Sequence, residues 1–294
     1  MVEFVSHVVN GALLGLLYAL IAMSFVTIYR SARVFNFAQG EIVVVGAFLV
    51  WTGMSGFDLS AWVAVPLALL ASVSLGVLIE RLILRPLVGE DLFAFVMVTI
   101  GLLIFLRGVV LVIWGPEVRF FPAVLPMAAI KVGPFVFDRA LVLGGAVTLL
   151  IAAAISWFFN HTQTGLEMTA VAEDHQTALS LGISVKRSIA IAWGVSGLLS
   201  TLAAVVFLNG KGLTFLASDI GFAALPVALL AGLESIGGVV LGGIIVGIAV
   251  GLASYFLDPV FGGGVAAVFP FVIMVVILLV RPTGLFGWKT IERI

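Results

Sequence analysis

Few residues in this sequence can do chemistry. Histidine occurs three times, at His7, His161 and His175, and cysteine not at all. Without cysteine there is no disulfide, no thiolate metal site and no cysteine nucleophile. Gly194-Val195-Ser196-Gly197 has the Gly-x-Ser-Gly order of intramembrane serine proteases. Such an enzyme needs a histidine base in a neighbouring span, and all three histidines fall at or beyond the ends of apolar stretches. No His-Glu-x-x-His pattern and no Gly-x-x-x-x-Gly-Lys-Ser/Thr loop occurs, which argues against zinc proteolysis and P-loop nucleotide binding. The expectation is a non-enzyme with no metal and no cofactor of its own.

What remains is a handful of polar groups set inside apolar sequence. The first lies in Arg33-Val34-Phe35-Asn36-Phe37-Ala38-Gln39-Gly40-Glu41. Asn36 is placed to cap the following helix, with Gln39 three residues on completing a capping-box-like pair. Glu41 then sits near the positive end of the helix dipole. Polar groups at the mouth of an apolar helix are costly against lipid, so this motif is expected to face protein or water. Arg107 is the one formal cation inside an apolar stretch, in the outer half of its helix, and is expected to snorkel to the outer surface. A third polar point is Glu234, in Gly232-Leu233-Glu234-Ser235-Ile236-Gly237-Gly238.

The elements that must carry these groups follow from composition. The 294 residues are 63% hydrophobic and 10% charged, against about 45–50% and about 25% in a soluble domain. A net charge of −1 gives no basic face for nucleic acid. Charge-free runs long enough to cross about 30 Å of hydrocarbon recur at Phe4–Ile28, Leu59–Ile79, Ala140–Leu166, Ser188–Gly210, Ser235–Leu257 and Pro259–Val280. Two more, Phe37–Phe57 and Leu92–Trp114, contain Glu41 and Arg107. Met1–His7 has no Lys or Arg, so Phe4–Ile28 is read as a retained helix rather than a signal peptide. The fold class is an all-α integral membrane protein with about eight full transmembrane helices plus one short or broken segment, forming a single unit over residues 1–294. The short segment is Ile220–Leu233, bounded by Asp219 and the glycine-rich turn. It gives nine crossings if it spans and eight if it dips and returns.

With the N-terminus outside, Arg30, Arg33, Arg81, Arg85, Lys186, Arg187, Arg281, Lys289 and Arg293 fall inside, and Arg119, Lys131, Arg139 and Lys211 outside. The excess of basic residues on one side favours that orientation and nine crossings. The longest inside loop, about residues 160–187, has apolar residues at Met168, Val171, Ala172, Ala178 and Leu179, a surface-helix pattern. Gly182 is suited to end that helix and Ser184 to cap the next. A short helix over Ala172–Gly182 is expected, either lying on the membrane or docking to a cytoplasmic protein. Small-residue faces at Gly11 and Gly15, at Gly238 and Gly242, and at Gly243, Gly247 and Gly251 predict close helix packing. The Gly243–Gly251 face is also a candidate subunit contact.

Taken in order, these motifs resemble the branched-chain amino acid permease family of ABC importers, in its H-type membrane subunit. The resemblance is carried by Asn10-Gly11-Ala12-Leu13-Leu14-Gly15-Leu16-Leu17-Tyr18-Ala19-Leu20 and by Asn36-Phe37-Ala38-Gln39-Gly40-Glu41. Further matches are Glu80-Arg81 with Arg85-Pro86-Leu87, and Ala170-Val171-Ala172-Glu173-Asp174 through Ala178-Leu179-Ser180-Leu181-Gly182. The last two are the Gly232–Gly238 turn and Arg281-Pro282-Thr283-Gly284-Leu285-Phe286-Gly287. It implies an inner-membrane, multi-pass permease with the ABC importer permease fold. Its partners would be a second, M-type permease, two cytoplasmic ABC ATPases that hydrolyse the ATP, and an extracytoplasmic substrate-binding protein. The implied substrates are branched-chain or related neutral amino acids, with urea, short amides or aromatic acids as the alternative within the family. A secondary transporter is the alternative of another class. Candidate pathway residues are Asn10, Tyr18, Asn36, Gln39, Glu41, Thr99 and Glu234. The candidate ATPase-coupling segment holds Ala172, Glu173, Asp174, Gln176, Thr177, Ala178, Leu179 and Gly182. The chain departs from the family at Gln39, where histidine is usual, and at Glu234, where glycine is usual.

Overall fold

The computed structural model describes residues 2–87 and 89–287. Apolar runs become helices because a backbone in lipid must satisfy its own hydrogen bonds. Helix α1 (Val2–Ala32) is followed by a non-helical return over residues 33–38, then α2 (Gln39–Trp51) and a π-helical turn, Thr52–Gly56. Helix α3 (Ala61–Ile79) ends in a second π-helical turn, Glu80–Leu84, and α4 (Leu92–Trp114) follows. A loop carries β1 (Arg119–Phe120) and a small hairpin of β2 (Ile130–Val132) and β3 (Phe135–Phe137). Then come α5 (Arg139–His161), α6 (Gln163–Glu173), α7 (His175–Ser180) and α8 (Val185–Phe207). Strand β4 (Gly212–Leu213) pairs antiparallel with β1 before α9 (Asp219–Ala231). The chain closes with α10 (Ile236–Phe256), α11 (Asp258–Phe261) and α12 (Val265–Val280).

Among the described residues, six helices are long and apolar enough to cross a membrane: α1, α3, α4, α5, α8 and α10. Helices α2 and α9 have 13 residues each, about 20 Å at 1.5 Å per residue, which falls short of the hydrocarbon. Each is completed by a run outside the α-helices: residues 33–38 before α2, and residues 208–218, with β4 and a 3-10 turn at Phe215–Ser218, before α9. With α12, nine passes join the two ends of the bundle among the described residues. Ile220–Leu233 is therefore the second half of a crossing, and the structure adds a second broken crossing at α2.

The segments α1–α3 and α8–α10 repeat one plan in opposite directions. Each has a long helix, an irregular return, a 13-residue α-helix and another long helix. Helix α1 packs on α10, and α3 packs on α8. The contacts are made by glycine against backbone. A Cβ on Gly15 would strike the Gly243 carbonyl and one on Gly247 the Gly11 carbonyl, while one on Gly251 would lie 2.6 Å from the His7 oxygen. The Gly243–Gly251 face is thus filled by α1 of the same chain and is not open to a second subunit. On the other side, Gly197 meets the Ser72 carbonyl and Gly76 the Trp193 carbonyl. The Gly197 approach accounts for one glycine of the Gly-Val-Ser-Gly run; a Cβ on Gly194 would meet the Val77 and Val73 side chains at 3.3 and 3.4 Å.

Two ends of the bundle are distinguished by charge. Arg33 touches α6, Gly284 packs against Gly232, and a cavity of about 240 Å³ is lined by Arg33, Glu80, Glu90 and His175. Arg30, Arg33, Arg81, Arg85, Lys186, Arg187 and Arg281 all lie at this basic end, and Arg119, Lys131, Arg139 and Lys211 at the far end. Lys289 and Arg293, counted in the sequence with the basic side, lie outside the described residues.

A midplane junction and a basic-end cluster

Asn36 does not cap α2. The helix starts at Gln39, Ala38 takes the cap position, and no side chain caps it. Asn36 Oδ1 instead accepts the Ala38 N–H (3.0 Å) and Asn36 Nδ2 donates to Gln39 Oε1 (3.0 Å). Gln39 turns away from its own helix start toward α8. Its Oε1 accepts from the Ser196 hydroxyl (3.1 Å) and its Nε2 donates to the Ser200 oxygen (2.5 Å). Ser196 and Ser200 lie near the middle of α8, so α2 begins at mid-depth rather than at a membrane face. The non-helical return has already brought Phe35 up to stack on Phe25 of α1.

Helix α9 begins at the same depth from the opposite direction. A Cβ on Gly221 would lie 2.5 Å from the Gly40 Cα, and one on Gly40 would strike the Ser218 carbonyl. Two positive helix ends therefore meet, an arrangement that favours negative charge in their first turns. Glu41 supplies it on α2 and Asp219 on α9. Arg107 reaches in from α4: its Nε and Nη2 each lie 2.8 Å from Glu41 Oε1, and Nη2 also donates to Ser218 Oγ at 2.8 Å. The Glu41 side chain is 1% exposed and Arg107 32%. Arg107 thus does not snorkel outward, because a buried carboxylate within reach compensates its charge better than a distant interface. Glu41 Oε2 is buried without a hydrogen-bond partner, and Asp219 is exposed.

Asn36, Gln39 and Glu41 are all buried against protein. Thr99 joins them through α4, with its hydroxyl 3.5 Å from the Phe35 carbonyl and 3.0 Å from the Val96 carbonyl. Asn10 and Tyr18 are not part of this group. Both are half-buried on α1; Tyr18 packs on Phe207, and Asn10 Oδ1 has no partner. Sequence reasoning passed over Ser200 and Ser218, and met Ser196 only in a protease-like motif and Asp219 only as the edge of a short segment. Serines in apolar helices were the available signal, since a hydroxyl in such a helix is of most use opposite a polar group of a neighbour.

Glu234 lies at the basic end, in the turn between α9 and α10. Arg33 donates to it through Nη1, to Glu173 Oε1 through Nη2 (2.6 Å), and to the Ala172 carbonyl through Nε (3.4 Å). One guanidinium thus ties the end of α1, the end of α6 and the α9–α10 turn. Arg33 and Leu233, on the two sides of this contact, both have left-handed φ, 54° and 59°.

The expected single helix over Ala172–Gly182 is two. Helix α6 ends at Glu173, and Asp174 (φ −155°, ψ 112°) breaks the chain and caps α7 by accepting the Thr177 N–H at 2.8 Å. Aspartate competes with helical backbone bonding and favours this cap geometry. Gly182 follows α7 with φ 79° and Ser184 caps α8, both as expected. Met168, Val171, Ala172 and Ala178 face the chain's own core, while Gln176, Thr177, Leu179 and Leu181 are exposed. The apolar surface offered outward is therefore Leu179 (61% exposed) with Leu181 (72%), not Ala172 and Ala178.

Comparison with known proteins agrees over nearly the whole length. The chain is 29% identical to the high-affinity branched-chain amino acid transport system permease protein BraD of Pseudomonas aeruginosa, covering 99% of this chain and 98% of that one. It is 28% identical to the corresponding protein LivH of Escherichia coli K12, at 99% and 98% coverage. A chain of PsaBC from Streptococcus pneumoniae, solved in complex with Fab, aligns over 93% of this chain and 91% of its own at 13% identity, with a TM-score of 0.48. The role is that of an ABC permease subunit, multi-pass in the cytoplasmic membrane and not an enzyme, working with ATPase and binding-protein partners. Matched from residue 7 to residue 280 by that family's model, the chain belongs to the branched-chain amino acid transport system / permease component family.

Proposed function

We propose that this chain, acting over residues 1–294 as one permease domain, forms half of a translocation unit for branched-chain or related neutral amino acids. The other half is a second, M-type permease; two ATPases bind at the basic end and a binding protein delivers substrate at the far end. The observation that carries the substrate reading is the end-to-end likeness to BraD and LivH. The basic end is the cytoplasmic one, by the seven-to-four division of described basic residues set out above. The junction of α2 and α9 borders the path. Two helices that start at mid-depth, with a buried acid and a partly exposed arginine between them, make the kind of break that lines a membrane pathway. Leu179 and Leu181 of the α7 segment supply the apolar contact for an ATPase, and movement there favours one arrangement of the permeases over the other.

Reconstitution of the permeases, ATPases and binding protein in proteoliposomes tests this. ATP-driven uptake of leucine, isoleucine or valine is the expected result. Uptake of urea or short amides in its place transfers the chain to the alternative substrates. Uptake driven by an ion gradient without ATP overturns the ATP-driven mechanism. Leu179→Arg is expected to prevent co-purification of the ATPase while the permease still inserts; unchanged co-purification removes α7 from the contact. Single cysteines at Ser6 and Thr177 fix the orientation by labelling with an impermeant reagent in intact cells. Labelling at Thr177 from outside reverses it.

A further inference from the structure

Asp219 is an exposed carboxylate at the depth where α2 and α9 meet. Among the described residues no hydrogen bond or ion pair engages it. A carboxylate at mid-depth is too costly to face acyl chains, so its surface looks onto water or a polar solute. Beside it, Ser218 holds Arg107 by Nη2. Arg107 Nη1 donates to nothing among the described residues, and about a third of the side chain is exposed. The two opposite charges are thus neighbours through Ser218 yet form no ion pair. Phe222, one helical turn on from Asp219 and on the same face, is also exposed.

A free anion and a free guanidinium edge, held apart beside an exposed apolar ring, match the head group and side chain of a hydrophobic zwitterion. We propose that Asp219 and Arg107 form a recognition point for zwitterionic amino acids in passage, with Asp219 taking the α-ammonium, Arg107 Nη1 the α-carboxylate, and Phe222 facing the apolar side chain. Glu41 Oε1 holds Arg107 from the α2 side, and Ser218 holds it beside the start of α9. These contacts keep Arg107 fixed, with Nη1 left at the exposed edge. Neither Asp219 nor Arg107 is required by the packing argument for α9, whose close approach is made by Gly40 and Gly221.

The inference rests on the amino-acid reading of the previous section, and the test separates the two. In the complete transporter in proteoliposomes, with saturating leucine-loaded binding protein, Asp219→Asn is expected to lower leucine uptake per ATP hydrolysed by about 10-fold or more, the size of one lost charge-assisted contact. Asp219→Glu restores uptake to within about threefold, since the charge returns one methylene displaced. Both variants are expected to co-purify with the second permease and the ATPases as the wild type does. Leucine uptake unchanged in Asp219→Asn overturns the assignment alone. Loss of the second permease from Asp219→Asn complexes also overturns it, because Asp219 then serves the interface. Wild-type transporter that moves urea but no amino acid overturns the amino-acid reading and this assignment together.

Discussion

Two arginines organise this chain, and they differ in how firmly they are held. Arg107 meets a carboxylate that is 1% exposed, in the middle of the bundle. Arg33 meets Glu173, 52% exposed, and Glu234, 15% exposed, at the basic end. Breaking a buried pair leaves an unpaired charge and costs about 3–5 kcal/mol, whereas an exposed pair is worth about 0–1 kcal/mol. The midplane group is therefore the firmer of the two, and the Arg33 cluster costs less to open. That suits its position, where the segment bearing α7 meets the turn that ends α9.

The largest effect is expected from breaking the fixed group. Glu41→Gln strands Arg107 and should lower stability by about 3–5 kcal/mol, read as a fall in melting temperature of the purified permease. Replacing both by methionine should return most of that stability, because the removed pair leaves no uncompensated charge, while uptake stays lost. A double variant as unstable as Glu41→Gln alone would show that the group is held by something other than charge pairing. Next in size is Gln39→Ala, which leaves Asn36, Ser196 and Ser200 short of a partner and should cost about 1–3 kcal/mol.

Arg33→Gln sharpens the other side of the comparison. Stability should stay within about 1 kcal/mol of the wild type, yet leucine moved per ATP should fall, as α6 and the α9–α10 turn lose their tie. Equal loss of ATP hydrolysis and uptake would make Arg33 a structural residue only. The smallest effect concerns pH. The Thr177 N–H holds the Asp174 carboxyl below the usual carboxylate range. A depressed folded value means the cap's contribution is present above the unfolded range and is lost as pH falls through the folded value. Amide protection in α7, taken relative to the intrinsic exchange rate at each pH, should thus be steady near neutrality and fall only on strong acidification, and Asp174→Asn should remove that dependence.

The membrane class, the crossings and their charge asymmetry were legible because hydrocarbon thickness imposes long apolar runs on any spanning helix. Asn36, Gln39 and Glu41 were legible as a group for the same reason, since polar residues stand out in such runs. Their roles were not. Capping chemistry looks only a few residues along the chain, and Gln39 is satisfied by serines more than 150 residues away. Arg107 misled for a related reason: snorkelling is judged from depth alone, and the carboxylate that holds it comes from another helix. In the 160–187 loop, apolar spacing located the segment but not the break at Asp174, and so could not tell that Ala178 faces inward and Leu179 outward.

The seam between α1 and α10 has a consequence beyond closeness. Its central contacts are Gly11, Gly15, Gly243, Gly247 and Gly251 against main chain, while at the outer end Phe4 and His7 pack on Tyr255 and Phe256. Glycine has no rotamers, so forming the central part of this seam freezes almost no side-chain entropy, and once formed that part has no rotamer hops through which to creep. The two helices should behave as one stiff rod. The rod ends at Arg33 on one helix and starts at Ser235 on the other, so a push on the Arg33 cluster should move the glycine-packed stretch of both helices together.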